Sequence, residues 1–240
     1  MKSVKQPIMT IKDQVYQIIK NDICNGVFPP DYWLQEPELA RKLGVSRSPI
    51  REALRQLVNE GLAIEFPNKG VFVKNFTAND IGEIYDVRIM LESYSIRHSS
   101  THMSPKTMKE LNDLVQRLNE IYKSGNVNAY IEEDTILHQS IVSLSGNSLV
   151  INIYNRIYTP IQQFRIYSLT SEERFSSSLN EHKSVIEHII SGNLEEAVRI
   201  NQVHLTLAKQ EIIRHINLIQ EEHSTRDNAF GASTPLNPHS

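Results

Sequence analysis

Apolar residues in the first 60 positions recur at helical spacing and predict three short helices. The first ends near Gly26 and has its apolar face at Ile11, Val15, Ile18, Ile19 and Ile23. The second begins at Pro37 and ends at Gly44, because proline fits a first helical turn and glycine adopts the left-handed conformation that ends one. The third follows a tight turn with Ser46 as its N-cap, and its core face is Ile50, Ala53, Leu54, Leu57 and Val58.

Two apolar runs follow Gly61 and predict a β-hairpin. Residues 62–66 and 70–74 flank Pro67, Asn68 and Lys69, a composition typical of a turn. Two helices joined by a tight turn, followed by a hairpin, predict a winged helix-turn-helix over residues 1–75.

The third helix carries arginines at Arg47, Arg51 and Arg55, every four residues and opposite its core face. The second helix of a helix-turn-helix lies in the DNA major groove with its N-terminal residues at the base edges. Arginine binds guanine O6 and N7 with two hydrogen bonds, and the hydroxyl of Ser48 suits a phosphate oxygen. The alternative is a helical hairpin with a two-stranded ribbon that packs domains without contacting DNA.

The rest of the chain has helical periodicity without a strand pattern, which predicts a mostly α protein. Caps and breaks divide it into about six helices at 77–101, 105–124, 127–145, 147–168, 172–191 and 194–221. Their lengths suit an antiparallel all-helical bundle over residues 76–222. Residues 223–240 lack periodicity and predict a disordered tail.

Charge supports this division. The 240 residues suit two domains, and the net charge of −3 hides a difference between them. Residues 1–75 hold eleven Lys and Arg against eight Asp and Glu, a net of +3, so the remainder has a net of −6. The basic part coincides with the predicted DNA-binding motif, as phosphate contact requires.

Targeting signals and cysteine usage indicate the cytoplasm. The chain has no apolar stretch of the ~18–20 residues that span a membrane, and its first residues lack the apolar core of a secretion signal. The single cysteine, Cys24, cannot form an internal disulfide and is expected to be a buried small hydrophobe. We therefore expect a cytoplasmic protein without a membrane partner.

Four residues of the helical part are candidate metal ligands. Asp134 and His138 are four apart and share a helix face, while His182 and His204 lie on two later helices. One carboxylate and three imidazoles suit a divalent transition metal, with zinc first and nickel or manganese as alternatives. Spacing alone leaves the ordinary alternative open, since Asp-x-x-x-His occurs by chance and helical histidines are commonly surface or satisfied core residues.

Residues 39–54, LARKLGVSRSPIREAL, with EGL at 60–62 and NKGVFV at 68–73, resemble the GntR family of transcriptional regulators. The resemblance implies that Arg47, Ser48 and Arg51 contact DNA, with Arg55 on the same stripe. It also implies that Ser46 caps the recognition helix and that Lys69 and Gly70 at the wing tip reach the minor groove or backbone.

One position departs from the family pattern. Members of the fatty-acid-type branch often have an arginine where this chain has Pro37 between Glu36 and Glu38. If that arginine reads a base, the operator should differ there or be bound less tightly, by ~1–3 kcal/mol.

The helical part resembles the FCD effector domain of the FadR-type branch of that family. DTILH at 134–138, EHKSVI at 181–186 and AVRINQVH at 197–204 resemble its metal-binding motifs. The resemblance implies an antiparallel bundle of six or seven helices that holds a metal through Asp134, His138, His182 and His204. EIYDVRIMLE at 83–92 resembles the opening helix, which implies that Arg88 faces a ligand. The alternative for Arg88 is an ion pair with Glu92 at i+4, and Arg165 is a second candidate ligand contact.

The predicted function is a homodimeric regulator that binds a palindromic double-stranded DNA operator and responds to a small carboxylate, an organic or sugar acid, bound beside the metal. Two alternatives remain. The first is a regulator whose effector is the metal itself. The second is a metalloenzyme, which we do not expect because the sequence assigns no general base beside the metal.

Overall fold

The computed structural model describes residues 9–169 and 172–231, and their side chains except at 159, 160, 163 and 220–231. Contacts divide the chain into two compact units, one reaching to Phe76 and including Ser148–Gln163, the other made of Thr77–Asn147 and the chain from Phe164. Among the described residues, no helix is both long and apolar enough to cross a membrane.

Local sequence signals fix the bounds of the first three helices, α1 (Ile11–Cys24), α2 (Glu36–Leu43) and α3 (Arg47–Asn59). A capping box opens α1: the Thr10 hydroxyl accepts from the Asp13 N–H at 3.1 Å, and the Asp13 carboxylate accepts from the Thr10 N–H at 3.2 Å. Gly44 ends α2 with φ 67°, a conformation that glycine reaches without strain from a Cβ.

The core of the first unit differs from the predicted one on α1. Val15, Tyr16, Ile19 and Ile23 are buried, whereas Ile11 is 59% and Ile18 44% exposed. The prediction that all five isoleucines and valines face the core is therefore wrong at Ile11 and Ile18. Because α1 packs against α3 along the line of Val15, Ile19 and Ile23, Tyr16 fills the adjacent position instead.

The predicted hairpin is present as β1 (Ala63–Phe66) and β2 (Gly70–Val73), which pair antiparallel with Phe66 opposite Gly70. A third segment, which the sequence analysis did not predict, extends this sheet. The Leu34 N–H donates to the Val71 carbonyl at 2.8 Å, and the Val73 N–H donates to the Tyr32 carbonyl at 2.9 Å. The segment is too short to show strand alternation, so only pairing with β2 defines it.

Gly70 is required by this third segment. Its φ is 103°, and a Cβ built there would lie 2.7 Å from the Trp33 Nε1 atom. We expect Gly70→Ala to lower the free energy of unfolding of the first unit by about 1–3 kcal/mol more than Gly26→Ala does. Gly26 is the matched control, because its φ is also positive, at 73°, but a Cβ there meets nothing within 4 Å.

Urea unfolding followed by the fluorescence of Trp33, the only tryptophan of the chain, measures this difference. Equal losses in the two variants would mean that the contact with Trp33 is not what requires glycine.

Six α-helices follow residue 76 in the described chain: α4 (Ala78–Arg97), α5 (Pro105–Ser124), α6 (Val127–Ser143), α7 (Ser148–Ile161), α8 (Glu172–Ile190) and α9 (Leu194–Gly231). Short 3₁₀ helices follow α4 at Ser99–His102 and α7 at Gln162–Leu169. In the second unit, α9 packs against α4 and α8, and α5 packs against α6 and α8. The predicted fold class, a winged helix-turn-helix followed by a helical bundle, is confirmed.

The predicted bounds differ most from the observed ones at two helices, and the helix predicted over 77–101 also ends earlier, at Arg97. The helix predicted over 147–168 ends as an α-helix at Ile161, and the chain continues as the 3₁₀ helix 162–169. The last helix was predicted to end at 221 but runs to Gly231, the first glycine or proline after Asn193. It therefore covers residues 223–231 of the predicted tail, and residues 232–240 lie outside the described chain.

Candidate DNA-contact surface and metal centre

Helix α3 separates an apolar face from a basic one. Ile50, Ala53 and Leu54 are buried against the core of the first unit, while the side chains of Arg47 and Arg55 are exposed. Burial of one face fixes the rotation of the helix, so the arginine stripe points away from the core. The structure thus provides the basic surface that the sequence predicts.

Arg51 has a partner that the sequence analysis missed. Its Nε donates to the Glu36 Oε1 at 2.9 Å, and its Nη2 donates to the Glu36 Oε2 at 2.8 Å. These bonds from Arg51 hold the pKa of the Glu36 carboxyl below its usual value. The two residues are 15 positions apart, and only the packing of α2 on α3 brings them together. Glu36 holds the guanidinium of Arg51 in one orientation on the exposed surface.

The remaining candidate DNA contacts lie at the N-terminal end of α3 and in the turn of the hairpin. Ser46 is the N-cap residue of α3 with φ −70° and ψ 165°, although among the described contacts its side chain does not bond to the first turn. Ser48 is exposed and donates weakly to the Glu52 carboxylate at 3.5 Å. Lys69 lies in the exposed turn of the hairpin, directly before Gly70.

Three helices of the second unit supply the candidate metal ligands. Helix α6 carries Asp134 and His138 one turn apart, α8 carries His182 and α9 carries His204. All four side chains are buried. Their ligand atoms all lie within 4.8 Å of one another, so the bundle brings together the full predicted set.

The Nε2 atoms of the three histidines face each other. The His182 Nε2 lies 3.2 Å from the His138 Nε2 and 3.2 Å from the His204 Nε2. The Asp134 Oδ1 lies 2.9 Å from the His182 Nε2. Two nitrogens that each bind one zinc ion at ~2.0–2.1 Å would be about 3.3 Å apart in a tetrahedral site. The spacing of the imidazoles therefore fits ligands of a single ion.

Outer partners orient each imidazole. The His138 Nδ1 lies 2.8 Å from the Glu92 Oε2, and the His204 Nδ1 lies 2.7 Å from the Glu181 Oε2. Since a carboxylate only accepts, the proton is on Nδ1 in both rings and Nε2 keeps its lone pair. A carboxylate behind a histidine in this way is typical of metal centres.

Tyr130 performs the same task for His182. Its hydroxyl donates to the Ser178 hydroxyl at 3.5 Å and lies 3.2 Å from the His182 Nδ1. Burial raises the pKa of Tyr130 to about 12, so the hydroxyl stays protonated. The His182 Nε2 lies 2.9 Å from the Asp134 Oδ1, so the ring proton can donate there while no metal is bound. When Nε2 binds an ion, the proton moves to Nδ1 and can donate to the Tyr130 oxygen, so Tyr130 orients this ring as well.

Burial also keeps the imidazoles neutral. It lowers the pKa of His138 and, together with the neighbouring imidazoles, holds the pKa values of His182 and His204 well below the ordinary value. Neutral imidazole is the form that binds a metal ion. The donor atoms, their spacing and their protonation fit a divalent transition metal.

Three buried or half-buried arginines surround the cluster. Arg88 pairs with Glu92, with its Nε 2.8 Å from the Oε1, which is the i+4 ion pair that the sequence offered as an alternative to ligand contact. Arg165 pairs with Asp134. Arg174, which the sequence analysis did not single out, donates to the Glu181 Oε2 at 2.9 Å.

A small cavity adjoins these arginines. Its volume is about 10 Å³, and Arg88, Arg165, Arg174, Asp134 and His204 are among its lining residues. A polar space of this size holds about one water molecule. An organic acid needs more room, so the arginines would have to move to admit one.

Two family models match the chain. Residues 11–73 match the model of the bacterial regulatory proteins of the gntR family, and residues 83–207 match the model of the FCD domain. The first match covers the winged helix, and the second contains all four candidate metal ligands.

Relatives and solved structures agree with these matches. YdhC, an uncharacterized HTH-type transcriptional regulator of Bacillus subtilis, is 31% identical over 85% of this chain and 87% of its own. The gluconate operon transcriptional repressor of Bacillus licheniformis is 28% identical over 70% of each chain. The structure of a GntR regulator from Rhodococcus sp. RHA1 superposes with a TM-score of 0.71 at 22% identity, covering 84% of this chain and 97% of that one.

Proposed function

The chain belongs to the GntR family of bacterial regulatory proteins and carries an FCD domain, and we propose that a small carboxylate bound at its metal centre sets its affinity for operator DNA. The protein is a DNA-binding transcriptional regulator of this family. In the proposal, residues 1–75 bind the operator, and residues 76–222 bind the effector and join two copies into a homodimer.

The observation that carries the proposal is the buried cluster of Asp134, His138, His182 and His204 beside the cavity that arginines line. The carboxylate oxygen and the three Nε2 atoms would hold the ion, for which zinc is the first choice and nickel or manganese the alternatives. A bound divalent ion with open coordination positions attracts oxygen ligands as a Lewis acid.

The arginines supply the second half of a carboxylate site. Guanidinium groups bind carboxylates with two parallel hydrogen bonds. Arg165 and Arg174 line the cavity together with Asp134 and His204. The name of the Bacillus licheniformis relative refers to gluconate, a sugar acid, which agrees with this ligand class.

The small size of the cavity supports a regulatory role. The described conformation has room for about one water molecule, so binding of an acid must favour a different arrangement of these side chains. A ligand shifts an equilibrium only through its different affinities for two such states. Closed and open forms of this site would be the two states.

The homodimer is part of the proposal because the FCD domain, which residues 83–207 match, is the part that the family resemblance implies for the dimer contact. A two-fold homodimer presents two copies of α3, which requires an operator with two inverted half-sites. The proposed DNA contacts are Ser46, Arg47, Ser48, Arg51, Arg55, Lys69 and Gly70.

The test uses an operator selected from random duplex DNA with the wild-type protein. Metal-free and zinc-loaded protein are each titrated with sugar acids and small organic acids, and gluconate is paired with sorbitol, which has an alcohol in place of the carboxylate. We expect at least one acid to change operator affinity by ~5-fold or more, as coupled sites typically do, and only in the zinc-loaded protein. Sorbitol should have no effect.

Three results would contradict the proposal. Zinc alone changing operator affinity to the full extent would indicate a metal-responsive regulator. Consumption of an acid, followed by chromatography, would indicate an enzyme. A monomer on operator DNA in light scattering would contradict the homodimer.

A further inference from the structure

Arg165 occupies the outer side of the carboxylate of Asp134. It lies in the 3₁₀ helix 162–169 and is 5% exposed. Its Nη2 contacts the Asp134 Oδ2, and its Nη1 donates to the Thr135 hydroxyl at 3.0 Å. The other oxygen of Asp134, Oδ1, faces the His182 Nε2 at 2.9 Å. The same carboxylate therefore contacts a fixed cation on one side and the imidazole cluster on the other.

This contact supplies the positive charge that the buried carboxylate of Asp134 needs when no metal ion is bound. Asp134 is 3% exposed, and a buried carboxylate without a cation is strongly unfavourable. Of the contacts described for Asp134, those with His138 and His182 are made by imidazoles and the one with Arg165 by a guanidinium. The guanidinium of Arg165 supplies that charge in the described structure.

A divalent ion among the four ligands would supply the same charge from the other side. Asp134 would then carry two cationic partners, and the positive charges would repel each other across one buried carboxylate. Arg165 can relieve this repulsion by leaving Asp134, because it stands beside the cavity that Arg174 and Ser168 also line.

We infer that Arg165 is a built-in counter-cation of the metal-free centre, which neutralises Asp134 and releases it when a divalent ion binds. The inference rests on the proposed metal centre and goes beyond it, because it assigns a role to the state without metal. The released guanidinium then faces the cavity, where the carboxylate of an acid can take the place of Asp134.

Because Arg165 lies in the 3₁₀ helix 162–169, its release from Asp134 should change the mobility of that helix. The 3₁₀ helix 162–169 follows α7 without a break, and α7 groups by its contacts with the unit that carries the DNA-contact surface. Loss of the contact with Asp134 frees the 3₁₀ helix from α6, so its backbone amides should exchange faster when the centre is filled.

The experiment compares Arg165→Ala with Arg117→Ala in zinc binding, measured by competition with a chelating dye. Arg117 is the matched control: its Nε lies 2.6 Å from the Glu133 Oε1, so it also pairs with a carboxylate of α6, one position from Asp134. We expect Arg165→Ala to bind zinc at least about tenfold more tightly than the wild type, because the cation that competes with zinc for Asp134 is gone. Arg117→Ala should bind zinc as wild type does.

Stability gives a second comparison. Removing Arg165 should lower the melting temperature of the metal-free protein and change that of the zinc-loaded protein much less, because only the metal-free form relies on this cation. Equal losses in both forms would mean that the arginine has a general packing role and would overturn the inference. Unchanged or weaker zinc binding by Arg165→Ala would overturn it as well.

Hydrogen exchange of the wild-type protein keeps the inference testable if Arg165→Ala does not fold. Zinc loading should raise amide exchange at 162–169 while lowering it around His138 and His182. Slower or unchanged exchange at 162–169 would overturn the inference. If the wild type takes up no divalent metal, the proposed metal centre fails with it, whereas zinc uptake without these changes refutes only the role of Arg165.

Discussion

His182→Ala is expected to abolish tight binding of a divalent metal. The His182 Nε2 lies at the centre of the candidate site, 3.2 Å from two other Nε2 atoms and 2.9 Å from the Asp134 Oδ1. Loss of an outer partner of a metal ligand typically weakens binding by ~10–100-fold, so loss of the central ligand should weaken it by more than ~100-fold. Zinc affinity is measured by dye competition, and metal content by elemental analysis of the purified protein.

Two further variants make this prediction specific. His188→Ala removes another histidine from the same helix but outside the cluster, so its zinc affinity should equal that of the wild type. Tyr130→Phe keeps His182 but removes the hydroxyl 3.2 Å from its Nδ1, so it should lose ~10-fold. Tight zinc binding by His182→Ala would show that the cluster is not the metal centre.

The second large effect is expected at the recognition helix. Arg47→Ala and Arg51→Ala should each abolish specific operator binding in practice. A bidentate arginine contact with guanine is worth about 1–3 kcal/mol, and a homodimer makes it twice. The expected loss is therefore roughly 30-fold to more than 10⁴-fold, measured by fluorescence anisotropy on the selected operator at a fixed salt concentration.

The variants Lys69→Ala and Arg199→Ala test whether a loss of DNA affinity comes from lost base contacts or from lost positive charge. Lys69 lies at the wing tip, and loss of a phosphate contact should weaken binding to all sequences and reduce the salt dependence by about one ion per subunit. Arg199 pairs with Glu196 on the exposed surface of α9 and should behave as wild type. If Arg47→Ala and Arg51→Ala weaken specific and random DNA equally, these arginines contact the backbone rather than bases.

The ion pair with Glu36 affects how Arg51 can bind DNA. In the described structure the Nε and Nη2 of Arg51 donate to the carboxylate of Glu36. An exposed pair of this kind stabilises the fold little, so DNA can compete for the arginine. It also limits the directions in which Arg51 points before DNA binds, which favours one base contact over others.

Much of the fold followed from local sequence. Thr10 with Asp13, Gly44 at the end of α2, and Ser104 with Pro105 at the start of α5 mark helix ends through contacts within four residues. The arginine stripe of α3 followed from a period of about four residues against a buried face. Such features are local, so they can be predicted without knowing how the helices pack.

The ligand set was identified through likeness to a family, since spacing left open that Asp134 and His138 were a chance pair. The surroundings of the site were not predicted. Glu92 lies 46 positions from His138, Tyr130 lies 52 from His182, and Arg165 lies 31 from Asp134 in the chain. Each pair meets only because particular helix faces are turned toward each other.

The sequence by itself determined most of the helices and the hairpin, the basic face of the recognition helix and the types of donor atom available for a metal. Only the tertiary structure decided that three Nε2 atoms and one carboxylate converge, that Glu92, Tyr130 and Glu181 orient the imidazoles, and that Arg165 holds Asp134. The physical reason is the distance along the chain over which each kind of interaction acts. Helix signals act within about one turn, whereas the protonation and pairing of a buried group depend on side chains that packing brings from distant parts of the chain.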